Sequence, residues 1–578
     1  MTEEGHTVAR VLCDASGPDR AFDYLVPAPL ADRVDVGAIV RIDLHGRRLG
    51  GWVVEINPSD SPQHLLALRS ISGIGPADDV VALTTWAAHR WAGRRSSFMR
   101  AASPPRVVRS VGAPRWTGVC PEPRSPATSR LLTTGGGVLR VPPGTDVVPS
   151  IWSAVALGPT LVVMPGVDDV AILAGRLRRG GVSVAVLPDE WERARNGVDV
   201  TIGTRTAVFA SVPNLAAIVV LDEHDDRLQS ESSPTWHARE VALERGRRAD
   251  LPVLLVSPVP SPEARLGRIV EAPPRTREIN GWPHIDVVDP TDHDGPTAGR
   301  VSSALLAEIR DDSRRVLCVL NTSGRSALLA CRSCRSLARC EKCEATLAQL
   351  SDGTLHCRRC GSDRPAVCAA CASSSFVNLR RGTAGFAREL AAATTRPVVL
   401  LEGDDVVPWG SGSDDIAVVI GTEAVLHRVH HADTVVLLDI DAELFAPRFR
   451  AGQHVASLLA RAARIVGDRR SGGRIIVQTT RVDHPTLVAF AAADPGAAGD
   501  RETSARRDMA LPPFGAMAVV EGAGAQEFVA SLPDTVAVGG DGDRWQVRAT
   551  SWEVLSTALE QGQRPTRSRL RVAVDPAR

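Results

Sequence analysis

The sequence predicts a multidomain α/β chain, and three observations carry that reading. Between 131 and 500, two successive series of short, near-continuous apolar runs alternate with helical stretches; strands buried on both faces read this way, so each series predicts a parallel sheet covered by helices. Residues 1–103 open instead with short alternating runs bounded by glycine, the pattern of a small β-domain. Inside the second series lie four Cys-x-x-Cys pairs, Cys331/Cys334, Cys340/Cys343, Cys357/Cys360 and Cys368/Cys371, the spacing of a metal-built insertion.

Size and composition set outer limits. With 578 residues and 44% apolar content the chain can hold three or four domains with cores of their own. The sequence has no stretch of 18 uncharged apolar residues, so no membrane span is expected. Lys+Arg and Asp+Glu both number 67, so the chain as a whole has no general field for polyanions and any nucleic-acid surface must be local. Lys342 is the single lysine, so any chemistry that requires one has one candidate.

Taken in order, the runs 8–12, 22–26, 38–44 and 51–56, punctuated by Gly46 and Gly50, predict the β-domain, and 79–92, with Trp86 and Trp91, predicts a helix. Prolines at 104, 105, 114, 121, 123 and 126 mark a linker over 104–130. The first lobe, 131–270, carries strand-type runs at 137–141, 160–164, 182–187, 218–221 and 253–256, and 201–210 reads as strand-like. A connection and the start of the second lobe span 271–330, and the lobe's runs at 316–320, 398–401, 416–420, 434–438 and 474–479 are interrupted by the cysteine region 331–376 and end near 500. Residues 501–578 read as a small α+β domain. Two α/β lobes in tandem are the layout of a motor that binds nucleotide between them.

Eight cysteines in four pairs supply two tetrahedral four-thiolate Zn2+ sites, and four protein ligands per ion leave no open position for water, so both sites are expected to be structural. Residues 1–20 carry Glu3, Glu4 and Asp14 with no apolar core of a signal peptide, so a reducing cytoplasm is expected and disulfides are disfavoured. Spacing alone does not choose between sequential and nested pairing of the four pairs. Cys13, Cys120 and Cys318 read as ordinary thiols.

Several ordered landmarks resemble the PriA family of bacterial replication restart helicases over essentially the whole chain. They include Ala21-Phe-Asp-Tyr-Leu-Val-Pro27, Thr201-Ile-Gly-Thr-Arg-Thr-Ala-Val-Phe-Ala210, Asp222-Glu-His-Asp225, Trp236-His-Ala-Arg-Glu240 and the cysteine run. Further along come Ile420-Gly-Thr422, Phe449-Arg-Ala451, Val477-Gln-Thr479 and Pro512-Pro-Phe-Gly515. The resemblance implies an N-terminal β-domain that captures a DNA 3′ end, a winged helix, two RecA-like lobes, a two-zinc knuckle insertion and a small C-terminal domain. It also implies nested zinc sites: Cys331, Cys334, Cys368 and Cys371 on one ion, Cys340, Cys343, Cys357 and Cys360 on the other.

The resemblance does not extend to the motor chemistry. A phosphate-binding loop needs a glycine-rich turn, a lysine at the β/γ-phosphates and a Ser/Thr on magnesium. Here the expected place reads Pro142-Pro-Gly-Thr-Asp-Val-Val-Pro149, with Gly144 and Thr145 as vestiges and no lysine; Lys342 lies in a cysteine knuckle far downstream. The family's Asp-Glu-Glu-His reads Leu221-Asp222-Glu223-His224 without gaps, placing leucine at the metal-holding position; sliding by one would restore Asp222 and disturb Asp225. Ser-Ala-Thr-Pro-Ser has become Ser257-Pro-Val-Pro-Ser261, a second-lobe Gly-Thr-Gln-Met run reads Gly421-Thr-Glu-Ala424, and the arginine-finger element keeps only Arg461 and Arg464. That arginine spacing is equally that of a solvated helix face. The cleft is therefore read as vestigial, with no catalytic residue assigned and ATP and Mg2+ not expected as working cofactors.

For DNA, the resemblance points to Asp23 and Tyr24 for hydrogen bonding and stacking on a 3′ end, beside Arg47, Arg48 and Trp52. Tyr24 packing the domain core is the competing reading. Arg90, Arg94, Arg95 and Arg100 around Trp91 could neutralise phosphate. Arg332, Arg335, Arg339, Arg358, Arg359 and Arg364 stud the knuckles. The favoured function is a cytoplasmic restart factor without a motor that recognises stalled or branched forks, with helicase-loading proteins and single-stranded DNA-binding protein as partners. The alternatives are an active ATP-dependent 3′→5′ DNA helicase and a zinc-bearing interaction protein that has lost fork recognition.

Overall fold

The computed structural model describes residues 7–576 except 16–18, 63–64, 293–300, 322–328, 335, 337, 339, 342–346, 351–352, 357–361, 379–382, 403–404, 406–408, 410–417, 447 and 566–567. The chain divides into two compact units, one formed by 1–141, 145–273 and 499–578, the other by 142–144 and 274–498.

The first unit opens with a six-stranded sheet in the order Leu66–Ala67, Ala21–Leu25, Val8–Cys13, Arg47–Ile56, Ile39–Leu44 and Ser70–Gly73. Ile39–Leu44 and Arg47–Ile56 form a hairpin whose two-residue turn, His45-Gly46, has both residues at positive φ (49° and 73°), the conformation that matches the twist of the flanking strands. Alternate residues Val40, Ile42 and Val53 point inward with Tyr24 and Val11 to make the domain core.

Two helices follow, Asp78–Arg90 and Arg95–Ala102. No strand occurs from 74 to 125, so the expected winged helix lacks its hairpin. The prolines of 104–123 remove the amides a strand would need. The helix Pro126–Thr133, capped by Ser125 with proline in its first turn, begins inside the segment read as linker.

The first lobe is a seven-stranded parallel sheet ordered Val270–Glu271, Gly136–Arg140, Val253–Ser257, Ala217–Leu221, Thr160–Val163, Val200–Gly203 and Val184–Val186. The run 201–210 is not one strand: it ends at Gly203, and Arg205–Phe209 coils into a 3-10 turn. That turn sends Val208 and Phe209 into a core shared with Trp91, Phe98 and Trp236, with Phe98, Phe209 and Trp236 ring centroids 5.1–6.3 Å apart. A strand continuing straight would have left these side chains unburied.

The C-terminal domain is an antiparallel sheet ordered Ala537–Asp541, Arg544–Ala549, Ala516–Glu521 and Arg571–Val574, covered by Ala525–Ala530 and Trp552–Gln561. Its Phe528 and Leu555 belong to the same cluster as Trp91 and Phe209.

The second unit is built on a parallel sheet ordered His284–Val288, Arg474–Gln478, Thr434–Leu437, Val316–Val319, Val418–Gly421 and Val398–Leu400. His284–Val288 was not anticipated; its alternation of His284, Ile285 and Asp286 lacks the continuous apolar signature of an interior strand. The cysteine insertion holds the pair Leu329–Cys331/Phe376–Asn378 and a three-stranded sheet of Ala348–Gln349, Leu355–His356 and Asp363–Arg364.

Candidate functional site

In a parallel α/β sheet, ligands sit beyond the carboxyl ends of the strands, so the residues after Gly136–Arg140 and Ala217–Leu221 decide whether the first lobe can hold a nucleotide. Pro142 and Pro143 have no amide hydrogen to offer a phosphate. Gly144 has no positive φ, and a Cβ added to it would meet nothing within 4 Å, so the turn makes no use of glycine. The helix Val148–Val155 then presents its N-terminus, the end at which phosphates bind. Here the chain supplies its own anion. Asp146 Oδ1 accepts from the Val148 amide at 3.1 Å while Oδ2 takes the Arg176 guanidinium at 2.8 Å, and Pro149 removes the next donor. Burial alone would raise the Asp146 carboxyl, but Arg176 and the Val148 amide outweigh it and hold it below the usual carboxylate range.

The second strand end has been rebuilt in the same sense. Leu221, at the family's metal-holding position in the gapless reading, is buried in the lobe core. Asp222 turns the chain with φ 50°. Glu223 is wholly enclosed: its carboxylate accepts from Arg239 Nη1 at 3.0 Å, from the Ser261 hydroxyl at 2.8 Å and from the Ser261 amide at 2.8 Å. Arg239 is 2% exposed and also meets Glu240 at 2.9 Å. Burial would lower the Arg239 pKa, but Glu240 and Glu223 outweigh that cost and keep it firmly protonated. The Glu223 carboxylate is thus clamped by one buried guanidinium and two donors of Ser261. His224 keeps one link to the next element, through Nδ1 to the Ser257 hydroxyl at 2.8 Å.

In the second unit, Arg461 lies on the buried face of the helix Ala451–Val466, so the solvated-face reading fails for it. Arg464 is exposed and donates from Nε to the Pro143 carbonyl at 3.1 Å, within the same unit.

The cysteine insertion brings together Cys331, Cys334, Cys368 and Cys371, whose sulfurs all lie within 4.8 Å of one another. Sγ–Sγ separations are 3.4 Å for Cys331–Cys371 and 3.6 Å for Cys334–Cys368. These are far longer than a disulfide bond of about 2.05 Å and close to the ~3.8 Å edge of a tetrahedron with Zn–S of ~2.3 Å. The donor set fits one metal ion. The antiparallel pair Leu329–Cys331/Phe376–Asn378 closes the ends of the insertion on each other, which joins the outer two pairs and decides for nested over sequential pairing of these four ligands. Backbone amides of Cys334 and Ser333 draw the Cys331 thiol down to about 6, toward the thiolate a metal requires. Cys340 is buried; Cys343, Cys357 and Cys360 lie outside the described residues, as do Lys342, Arg335, Arg339, Arg358 and Arg359.

In the N-terminal domain the stacking role expected of Tyr24 does not survive. Its ring is 2% exposed in the domain core, its hydroxyl donates to the Asp43 carbonyl at 3.1 Å, and burial pushes its pKa up to about 12. Asp23 is bridged by Arg10 at 2.8 and 3.1 Å and by the Ser61 hydroxyl at 2.9 Å, and the Arg10 hydrogen bond holds its carboxyl below the ordinary range. The neighbouring aromatic that reaches solvent is Phe22, with the Arg20 guanidinium 6.0 Å from its ring. Arg47 and Arg48 are exposed where the hairpin re-enters the sheet.

The arginines around Trp91 serve packing more than phosphate. Arg90 is 7% exposed, ion-paired with Asp575 and packed 5.1 and 5.2 Å from the rings of Trp91 and Trp552. Arg95 turns inward to the Thr84 hydroxyl and the Val81 carbonyl, and Arg100 meets Asp14 at 2.7 Å. Of the four, Arg94 and Arg100 are exposed. Sequence reasoning missed Arg239. Arg239 was quoted inside Trp236–Glu240, and an arginine in the first turn of an amphipathic helix beside an acidic strand end was the available signal.

Comparison with known proteins agrees with this architecture. The family model of the PriA 3'DNA-binding domain (3'BD) matches residues 10–104. The probable replication restart protein PriA of Mycobacterium leprae (strain TN) is 28% identical over 582 residues, 87% of this chain and 86% of that protein. That of Mycobacterium tuberculosis (strain ATCC 25618 / H37Rv) is 28% identical over 592 residues, 87% of this chain and 85% of that protein. The replication restart protein PriA of Bacillus subtilis (strain 168) is 26% identical over 366 residues, 59% of this chain and 45% of that protein. With its N-terminal sheet, its two parallel-sheet lobes and its clustered cysteines arranged in this order, the chain is similar to replication restart proteins of the PriA family over most of its length.

Proposed function

We propose that this chain is a DNA-binding replication restart protein that recognises stalled or branched forks and promotes reloading of the replication machinery without helicase activity of its own. The observation that carries the motorless reading is the conversion of both nucleotide-binding strand ends: Asp146 fills the helix N-terminus that would take phosphate, and Glu223 is locked to Arg239 and Ser261. The two lobes, RecA-like in their all-parallel sheets, then serve as a frame for DNA and partner surfaces, and two structural Zn2+ ions hold the insertion, one of them on Cys331, Cys334, Cys368 and Cys371. Helicase-loading proteins and single-stranded DNA-binding protein are the partners this role requires.

Fork recognition is testable directly. The intact protein should bind a fork carrying a 3′-hydroxyl end at the branch at least about tenfold more tightly than the same fork ending in a 3′-phosphate, measured by fluorescence anisotropy. Equal affinity for the two would contradict end recognition and favour a zinc-bearing interaction protein.

A further inference from the structure

A cavity of about 400 Å3 opens between the N-terminal sheet and the first lobe, both parts of one compact unit. Arg33, Arg109 and Arg195 line it against a single acid, Asp35. Among the described residues none of the three guanidiniums meets a carboxylate. Arg195 Nε is itself enclosed and has no hydrogen-bond partner. Three guanidiniums around one carboxylate leave an excess of positive charge that an anionic ligand would offset.

The cavity continues along the proline-rich strap. Beyond Arg109 the strap is pinned flat on the first lobe: the Gly112 amide donates to Asn196 Oδ1 at 2.7 Å, the Arg115 amide to the Gly197 carbonyl at 2.8 Å, and the Thr117 hydroxyl to Asp199 at 2.7 Å. Fixed in this way, it displays Arg115 and the Trp116 indole to solvent, the latter 41% exposed and seated against Gly197, and it contains no acidic residue from 104 to 121. A cationic pocket that runs into a second arginine and an exposed aromatic suits a chain of phosphates with bases attached, because each base can stack while each phosphate is neutralised. A free phosphate would use the pocket alone.

We propose that this cavity and the strap beside it bind the phosphodiester backbone of a single DNA strand, as a contact separate from the hairpin face. The proposal rests on the DNA-binding reading above. The test uses the full chain and a forked DNA with a single-stranded arm, with affinity read by anisotropy across a potassium chloride series. Each phosphate contact on a single strand contributes about 0.7 to the slope of log K against log salt. The double variant Arg109→Ala/Arg195→Ala should therefore lose about 1.4 from that slope and bind the fork at least tenfold more weakly at the wild type's midpoint salt. Arg470→Ala, exposed in the other unit, should change neither. A thermal unfolding midpoint equal to wild type separates lost contacts from lost folding.

An unchanged slope in a folded double variant, with the wild type binding the fork, overturns this proposal alone. A wild type that does not bind the fork overturns the DNA-binding reading and this proposal with it. If millimolar pyrophosphate raises the wild-type midpoint but not the variant's while the fork slope stays the same, the pocket takes a free anion and the strand assignment is wrong.

Discussion

Replacing Glu223 with Ala is expected to destabilise the first unit by about 3–5 kcal/mol, the cost of leaving one partner of a buried ion pair without the other. Arg239 would stay enclosed at 2% exposure, facing the vacated site, with Glu240 and Glu263 as neighbouring anions, and Ser261 would lose an acceptor for both its amide and its hydroxyl. Urea unfolding monitored by far-ultraviolet circular dichroism reads the loss. The double change Glu223→Leu/Arg239→Met should recover much of it, because removing both charges removes the desolvation cost with them. A catalytic carboxylate behaves in the opposite way: sites built for function are held at the expense of stability, and neutralising them tends to stabilise. Unchanged stability in Glu223→Ala would contradict the structural assignment.

Loss of the metal should be the larger effect within the insertion. In zinc-finger peptides a structural Zn2+ contributes about 10–16 kcal/mol of binding free energy that doubles as folding free energy, and among the described residues the insertion's own core cluster is small, built on Leu329, Ala338, Cys340, Leu347 and Leu355. Cys368→Ser should lower the zinc content by one ion per chain, measured by atomic emission, and open residues 329–378 to limited proteolysis. The N-terminal sheet, a separate core with no cysteine of the cluster, should keep its protease resistance. Full metal content in Cys368→Ser would remove Cys368 from the ligand set.

What could be read from the sequence follows from the range of the forces involved. Interior strands such as Ala217–Leu221 and Val253–Ser257 announce themselves because burial on both faces demands a continuous apolar run. The outer cysteine pairs were legible as ligands, but which pairs share an ion depends on the pairing of Leu329–Cys331 with Phe376–Asn378, a contact that spacing does not encode. The arginines misled for the same reason. Arg90 finds Asp575 at the far end of the chain, and Arg10 finds Asp23 on the neighbouring strand, so a local cluster of positive charge says little about which members remain free for phosphate. Tyr24 was favoured as a stacking platform over a core residue, because the period-2 pattern assigns a face to a side chain and not whether that face is covered. The run 201–210 failed because Gly203 permits a close turn over Ala207, whose Cβ lies 2.9 Å from where a side chain would begin.

The loop 142–149 and the strand end at 221–224 were legible in the residues they lack and illegible in the contacts they make. The missing lysine and the two prolines stand in the sequence; that Asp146 caps the Val148 amide and that Arg239 pairs with Glu223 needed the fold.

The measurement that tests the account most directly is ATP hydrolysis by the zinc-loaded protein in the presence of a forked DNA, with binding to the same fork followed in parallel. The account predicts saturable fork binding with no turnover above the protein-free background. Fork-stimulated hydrolysis that scales with protein concentration would contradict it and would require a phosphate-binding residue other than lysine at the loop 142–146.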